Sequence, residues 1–468
     1  MGSSAGDAPP WGESASRPTA GGRIVHAAAF AAAALLLLSA CLVNGYPLLF
    51  PDSGNYLALA IVAEELPYRT LVYGALLTVL GAAWTLWFTV AFQSAVVVWL
   101  LDQTVALFVE RNRPAWLLAM AAALTLFTGL PWYVGQIMPD VFSGALILAL
   151  VLLIVFGDRL PPWRRLMLTA TVTIGTAIHA SHLPVALALL VAGLVALKLM
   201  RRPLKAAALP GLAIALGLAS IPAVHYAETG RAYLNKGGEL FLFARLVEDG
   251  IVGRYLNENC PLPDTVLCAF RDQLPSTHNG YLWDDRQAFD MAGGWEQSGP
   301  ESQRIMWATL RHYPGMHALT ALRSFARQMV LMRTGDYLRT AFLHNTTVIE
   351  IMLPWEAGAY HNALQQRRQL RFFDALNLLH VPLQLGACAA LAGLGLLAWR
   401  RADRRTAGFA LLLLVGLMAN AFTCGTLSNP QDRYQSRVVW IAVLGAGLMA
   451  GPPALSAWRR RRTNDRGS

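Results

Sequence analysis

The run IVHAAAFAAAALLLLSACL fills residues 24–42, and Pro51-Asp52-Ser53-Gly54-Asn55-Tyr56 follows shortly after it. An apolar stretch of about 20 residues is the length that crosses a bilayer core as a helix. An acid beside the mouth of such a span is costly to keep near lipid, so Asp52 reads as part of a site. The same residues suit a helix start, because Asp or Ser ahead of Tyr56-Leu57-Ala58-Leu59-Ala60 is a capping pattern. Capping and catalysis are compatible roles.

Composition extends the membrane reading to the whole chain. Of 468 residues, 55% are hydrophobic and only 14% are charged. Soluble domains carry roughly 25% charged residues. Apolar stretches near 24–42, 83–108, 114–130, 138–157, 165–180, 182–199, 205–224, 377–398, 407–424 and 437–456 predict an all-α polytopic membrane protein with about ten transmembrane helices. The net charge of +10 is then a topological signal and not a nucleic-acid one.

Basic residues fix the expected orientation. Arg17 and Arg23 precede the first span. Arg111 and Arg113 follow the second, and Arg159, Arg164 and Arg165 the fourth. Lys198, Arg201, Arg202 and Lys205 follow the sixth; Arg400, Arg401, Arg404 and Arg405 the eighth; Arg459 to Arg462 the last. With ten spans all of these clusters share one side, which predicts cytoplasmic termini in a bacterial plasma membrane and a periplasmic opposite face. The expected divisions are a disordered tail at 1–22, a transmembrane module at 23–224 with its first outer loop at 46–82, an outer insertion at 225–376, C-terminal helices at 377–458 and a basic tail at 459–468, set against anionic lipid.

Polar residues collect on the outer face: Asp52 to Tyr56, Pro131 to Asp140, His179 and His182, and the last loop from Ser428 to Arg437. Asp140 follows Pro139 and suits the positive end of the next helix. The insertion predicts helices near Gly238 to Tyr255 and Glu301 to His312, with turns around Pro261, Pro263 and Trp283-Asp284-Asp285. Residues 317–333, which carry Arg323 and Arg327, predict an amphipathic helix on the membrane or the bundle. Trp283, Trp295, Tyr281 and Tyr313 are either sugar-stacking or core and interfacial aromatics. Cys260 and Cys268 lie on the oxidising side and are candidates for a disulfide. Cys41, after Leu38-Ser39-Ala40, reads either as a lipoprotein cysteine or as a packing residue.

This order of parts resembles the polyprenyl-phosphate-dependent glycosyltransferases of the GT-C superfamily. The resemblance rests on one span followed by Asp52-Ser53-Gly54-Asn55-Tyr56, on amphipathic helices from Tyr56 to Leu80 with Pro67 and Tyr73, on Pro139-Asp140, and on Arg433-Tyr434 before the final span. It covers the N-terminal half and the last loop, and does not cover 225–376. It implies a polyprenyl-phosphate sugar donor, a glycan, glycolipid or protein acceptor, Asp52 and Asp140 as catalytic acids with Asp52 the base, and Arg433 as the phosphate ligand. Tyr56, Tyr434, His179, His182 and Arg437 are further candidates at the substrate. A guanidinium suits phosphate because it binds two oxygens at once. No cofactor is required by the sequence; Asp52 and Asp140 could share a divalent metal, although two carboxylates are a thin ligand set.

Two other readings stand beside it. Asp102, inside the second span, could relay protons or bind ions in a transporter or flippase of a lipid-linked substrate. An O-antigen-type polymerase or ligase would rely on Arg231, Arg245 and Arg254 of the insertion.

Overall fold

The computed structural model describes residues 19–62 and 69–464, with side chains described as far as residue 451. Most of the expected N-terminal tail, Pro67, the side chains of Arg459 to Arg462 and the last residues of the basic tail lie outside this description. The described residues form helices and loops, with a single isolated bridge between Leu48 and Gln136. Each of the ten apolar stretches coincides with a helix, and the first already starts at Ala20, inside the expected tail.

Seven of these helices are long and apolar enough to cross a membrane: Ala20–Leu37, Trp87–Phe108, Val141–Arg159, His182–Leu199, Leu204–Thr229, Phe373–Arg400 and Arg404–Leu427. The expected ten spans are thus matched in part among the described residues. Arg113–Phe127 has 15 residues and Pro162–Ala177 has 16, so each is short for a perpendicular span. The final helix, Asp432–Asn464, starts five residues before the apolar stretch predicted from 437. Polar side chains that satisfy one another inside the bundle let a helix begin where hydropathy sees a loop. Arg433, Tyr434 and Arg437 therefore stand on helix and not in a loop.

Val141–Phe156 is the central helix, with every residue buried. A helix apolar all round belongs in a core, which explains its sequence VFSGALILALVLLIVF. Gly144 lets the last helix approach closely: a Cβ there would lie 2.5 Å from Trp440 Nε1. Small residues permit such backbone approach between membrane helices.

The insertion divides into two parts. Its first half, from Gly238 to His312, has its own core, built on Leu240, Phe243, Ile251, Tyr281 and Phe289. The expected helix from Gly238 to Tyr255 is two, Gly238–Glu248 and Ile251–Asn259, broken at Gly250. Cys260 and Cys268 form a disulfide beside it. Tyr281 is buried among aromatics, whereas Trp283 is exposed. The amphipathic helix, Pro314–Val330, lies on the bundle. It turns Ser324 and Gln328 inward, and the Gln328 side chain bonds the Gln431 backbone in both directions, at 2.8 and 2.9 Å.

The second half clamps the loop that carries Asp52. Gln365 donates to Leu49 O and accepts from Leu49 N. Asn345 accepts from Gly54 N and donates to Phe50 O, each at 2.8 Å. Cys41 is buried against Gly135, with its Sγ 3.3 Å from Gly135 O, as a packing residue would be. The Asp52 turn is thus held by side chains that arrive from about 300 residues away. Asn345→Ala should lower thermal stability in detergent by about 2 kcal/mol or more, since each backbone group left unpaired costs about 1–3 kcal/mol. An unchanged melting temperature would mean that this clamp does not form.

Candidate functional site

Three segments meet around the first loop. Leu48 N donates to Gly135 O and Ile137 N to Leu48 O, which zips this loop to the one before Asp140. Ser53 Oγ accepts from Phe50 N and donates to Ile137 O at 2.9 Å. On the loop's far limb, Thr70 donates to Ile178 O and Leu71 N to His225 Nε2. Tyr73 donates to Gln93, whose amide donates to Val134 O and Gln136 O. Each short loop is therefore fixed by buried polar side chains from its neighbours.

Asp52 pairs with Arg69 at 2.6 Å and keeps 24% of its side chain exposed. Arg69 also donates to the Tyr56 hydroxyl at 3.2 Å and lies over the Tyr56 ring. Tyr56 in turn packs edge-on against Tyr73. Asp52 uses its side chain for this ion pair, while its backbone carbonyl accepts from Tyr56 N in the first turn of Ser53–Val62.

Asp140 behaves differently. It is 2% exposed, and its Oδ1 accepts from Arg437 Nη1 at 2.9 Å. Arg437, itself fully buried, also reaches Ser181 Oγ and Asn420 Oδ1, each at 3.3 Å. Burial pushes the Asp140 carboxyl up, but the Arg437 and Arg433 guanidiniums outweigh it and hold it at about 2. Asp140 precedes Val141–Phe156 without a capping hydrogen bond, so the expected cap is replaced by the ion pair. Arg437 carries this pair, and its buried Nε has no hydrogen-bond partner among the described residues.

Arg433 sits one turn earlier on the same helix. Its guanidinium lies over the Phe50 ring at 4.3 Å and over the Tyr434 ring at 4.8 Å. Nη2 reaches the Tyr434 hydroxyl at 3.4 Å, whereas buried Nε and Nη1 have no hydrogen-bond partner among the described residues. Its electrostatic neighbours include both Asp140 and Asp52. The Arg433 carbonyl accepts from the Tyr133 hydroxyl at 3.4 Å.

The histidines divide. His182 is buried and both ring nitrogens are engaged, with Ser143 Oγ and Gly175 O, each at 2.6 Å. This is a packing role in place of the expected phosphate contact. His179 bonds Ser181 through Nδ1. Burial pushes its imidazole well below the ordinary range, helped by His182 and Arg437, so it is neutral near pH 7. Asp102, the intramembrane acid, accepts from Arg113 Nε at 2.7 Å and lies 3.4 Å from His26 Nε2.

Sequence reasoning passed over two residues. Arg69 is the lone basic residue between positions 46 and 82, and that isolation is a signal that could have singled it out. Asp336 has no comparable signal. It stands between Gly335 at φ 98° and Tyr337 at φ 58°, and its Oδ2 accepts from Arg433 N at 3.4 Å. Tyr337 meets Phe50 edge-on at 5.3 Å. Burial pushes the Asp336 carboxyl up against the pull of Arg433. Unlike Asp52 and Asp140, it has no guanidinium at ion-pair distance among the described residues.

Asp52 and Asp140 each face their own arginine, and among the described residues no group of three or more His, Cys, Asp or Glu is arranged to hold a metal ion. The site offers one partly exposed carboxylate, one half-buried guanidinium with unused donors, and aromatic walls.

Arg437→Met should destabilise the protein by about 3–5 kcal/mol, because it leaves a buried carboxylate unpaired. Asp140→Leu combined with Arg437→Met should recover much of that loss. The Asp140 carboxyl is depressed from 3.8 to about 2, so the unfolded chain takes up its proton first as pH falls. Its stabilisation is fully present above 3.8 and is lost as pH falls to about 2. Melting temperatures across that window should drop more steeply in the wild type than in the double variant.

No protein-family model matches the chain, and no curated protein or solved structure matches it either.

Proposed function

We propose that this membrane protein is a GT-C-like glycosyltransferase. It moves a sugar from a polyprenyl-phosphate donor to a glycan, glycolipid or protein acceptor at the outer face of a bacterial plasma membrane. The observation that carries this reading is the stacking of Arg433 on Phe50, which brings a guanidinium with two unused donors to within two residues of Asp52. The acidic and cationic parts expected from the resemblance thus belong to one cluster.

In this reading the acceptor hydroxyl or amine attacks the anomeric carbon. Asp52 takes the acceptor's proton as the new bond forms. The bond from the anomeric carbon to the phosphate oxygen breaks, and the carrier phosphate leaves with its electron pair. The Arg433 guanidinium stabilises that negative charge. Arg69 holds Oδ1 of Asp52 and orients it, and Oδ2 is the oxygen assigned to the acceptor proton. Asp140 acts through Arg437 as a positioning residue.

The alternative readings have less support. Asp102 is satisfied by Arg113 and His26, which disfavours a transporter's proton relay. Arg245 is tied to Glu248, Asp249 and Ser324, and Arg254 to Glu258, so two of the three arginines assigned to a polymerase or ligase have partners of their own.

Asp52→Asn should reduce transfer from a purified polyprenyl-phosphate sugar by about 10²–10⁴-fold, with insertion intact. Full activity in that variant would remove the base assignment. Arg433→Ala should cost about 10²–10³-fold in turnover, and Arg433→Lys should recover only part of it. Mass spectrometry of glycolipids from deletion cells tests the whole reading: a missing sugar identifies the product, and an unaltered glycan profile argues against an enzyme of this kind.

A further inference from the structure

At the end of the bundle opposite the Asp52–Arg433 cluster, three spans leave a slot between them. These are His182–Leu199, Phe373–Arg400 and Arg404–Leu427. The slot is an apolar cavity of about 300 Å³, lined by Leu199, Ala392, Leu396, Trp399, Ala410 and Leu411 among others. That volume is at the lower end for small-molecule sites. Leu199, Leu396, Trp399 and Leu411 are all partly exposed on its walls, so the slot opens sideways, where a bilayer would lie.

Its polar edge is cationic. Arg404 lines the cavity, donates to Leu199 O at 3.0 Å and stacks on Trp399 at 4.8 Å. This contact joins the loop after Leu199 to the loop after Arg400, and Lys198, Arg201, Arg400 and Arg401 flank those two junctions. The acids nearby are committed elsewhere: Asp158 pairs with Arg202 and Arg405, and Asp403 caps Thr406 N. None of Lys198, Arg201, Arg400, Arg401 and Arg404 has a carboxylate at ion-pair distance among the described residues.

An apolar slot open to lipid beneath uncompensated guanidiniums matches one chemistry, an anionic head joined to a hydrocarbon tail. We infer that this slot is a binding site for an anionic glycerophospholipid of the adjoining leaflet, with an acyl chain against Ala392 and Leu411 and the head-group phosphate on Arg400, Arg401 and Arg404. A zwitterionic head would leave the rim's excess charge unneutralised. A second protein chain would need a wider opening, because a helix with its side chains is about 10 Å across. The site is independent of the glycosyl-transfer reading.

The test uses the full-length protein in detergent, with phosphatidylglycerol or phosphatidylcholine of identical chains added, and retained lipid read by native mass spectrometry. Phosphatidylglycerol should be retained about tenfold better or more. The exposed pair Arg400→Gln/Arg401→Gln should bring its retention down to that of phosphatidylcholine, and Arg400→Lys/Arg401→Lys should keep it high. Ala392→Phe, which fills the slot from its exposed side, should lower retention of both lipids. Equal retention of the two lipids by the wild type would overturn the proposal, as would retention unaffected by both the glutamine pair and Ala392→Phe. Preferential retention of a polyprenyl phosphate over phosphatidylglycerol would also overturn it, by assigning the slot to the lipid carrier.

Discussion

The ion pair between Asp140 and Arg437 is the constraint on which the outer cluster depends. Both side chains are buried; Asp140 leads directly into Val141–Phe156, and Arg437 stands on Asp432–Asn464. Taking two charges out of water costs several kcal/mol per ion unless they are paired and further hydrogen-bonded. Ser181 and Asn420 supply further bonds to Arg437. The pair thereby fixes the rotation of the final helix relative to Val141–Phe156. Residues four apart share a helix face, so fixing Arg437 also aims Arg433. Arg433 arrives over Phe50, on the loop that carries Asp52.

What the sequence makes legible follows from how local each signal is. Apolar runs and clusters of basic residues are local, and they identify the helices and one distinct face. They do not measure the length of each helix: Arg113–Phe127 is apolar yet only 15 residues long. Hydropathy also places the last boundary too late. Asp432, Arg433, Gln435 and Arg437 look like loop residues until their partners are known. Those partners lie on other segments: Asp432 accepts from Arg333 N, Asn420 contacts Gln435, and Arg437 meets Asp140. Asp52 stands out in the sequence because an acid near lipid is anomalous. Asn345, Gln365 and Asp336 are ordinary residues of an irregular insertion, and only the tertiary fold brings them to the first loop or to Arg433.

Arg433 and Arg437 show how one helix can hold both a structural and an available cation. Arg437 meets a carboxylate and a ring of polar atoms, and exchange with substrate would leave Asp140 stranded. Arg433 instead lies against Phe50 and Tyr434. Aromatic faces attract a guanidinium by about 0.5–2 kcal/mol without occupying its hydrogen-bond donors. A donor that is partly desolvated and still unpaired is costly in the resting protein, by about 1–3 kcal/mol for each group. That cost is relieved only when an acceptor arrives, and an anionic oxygen relieves it most. The aromatic walls therefore hold Arg433 in place with Nε and Nη1 buried and unpaired, while the buried pair one turn away supplies the rigidity that such an unsatisfied group requires.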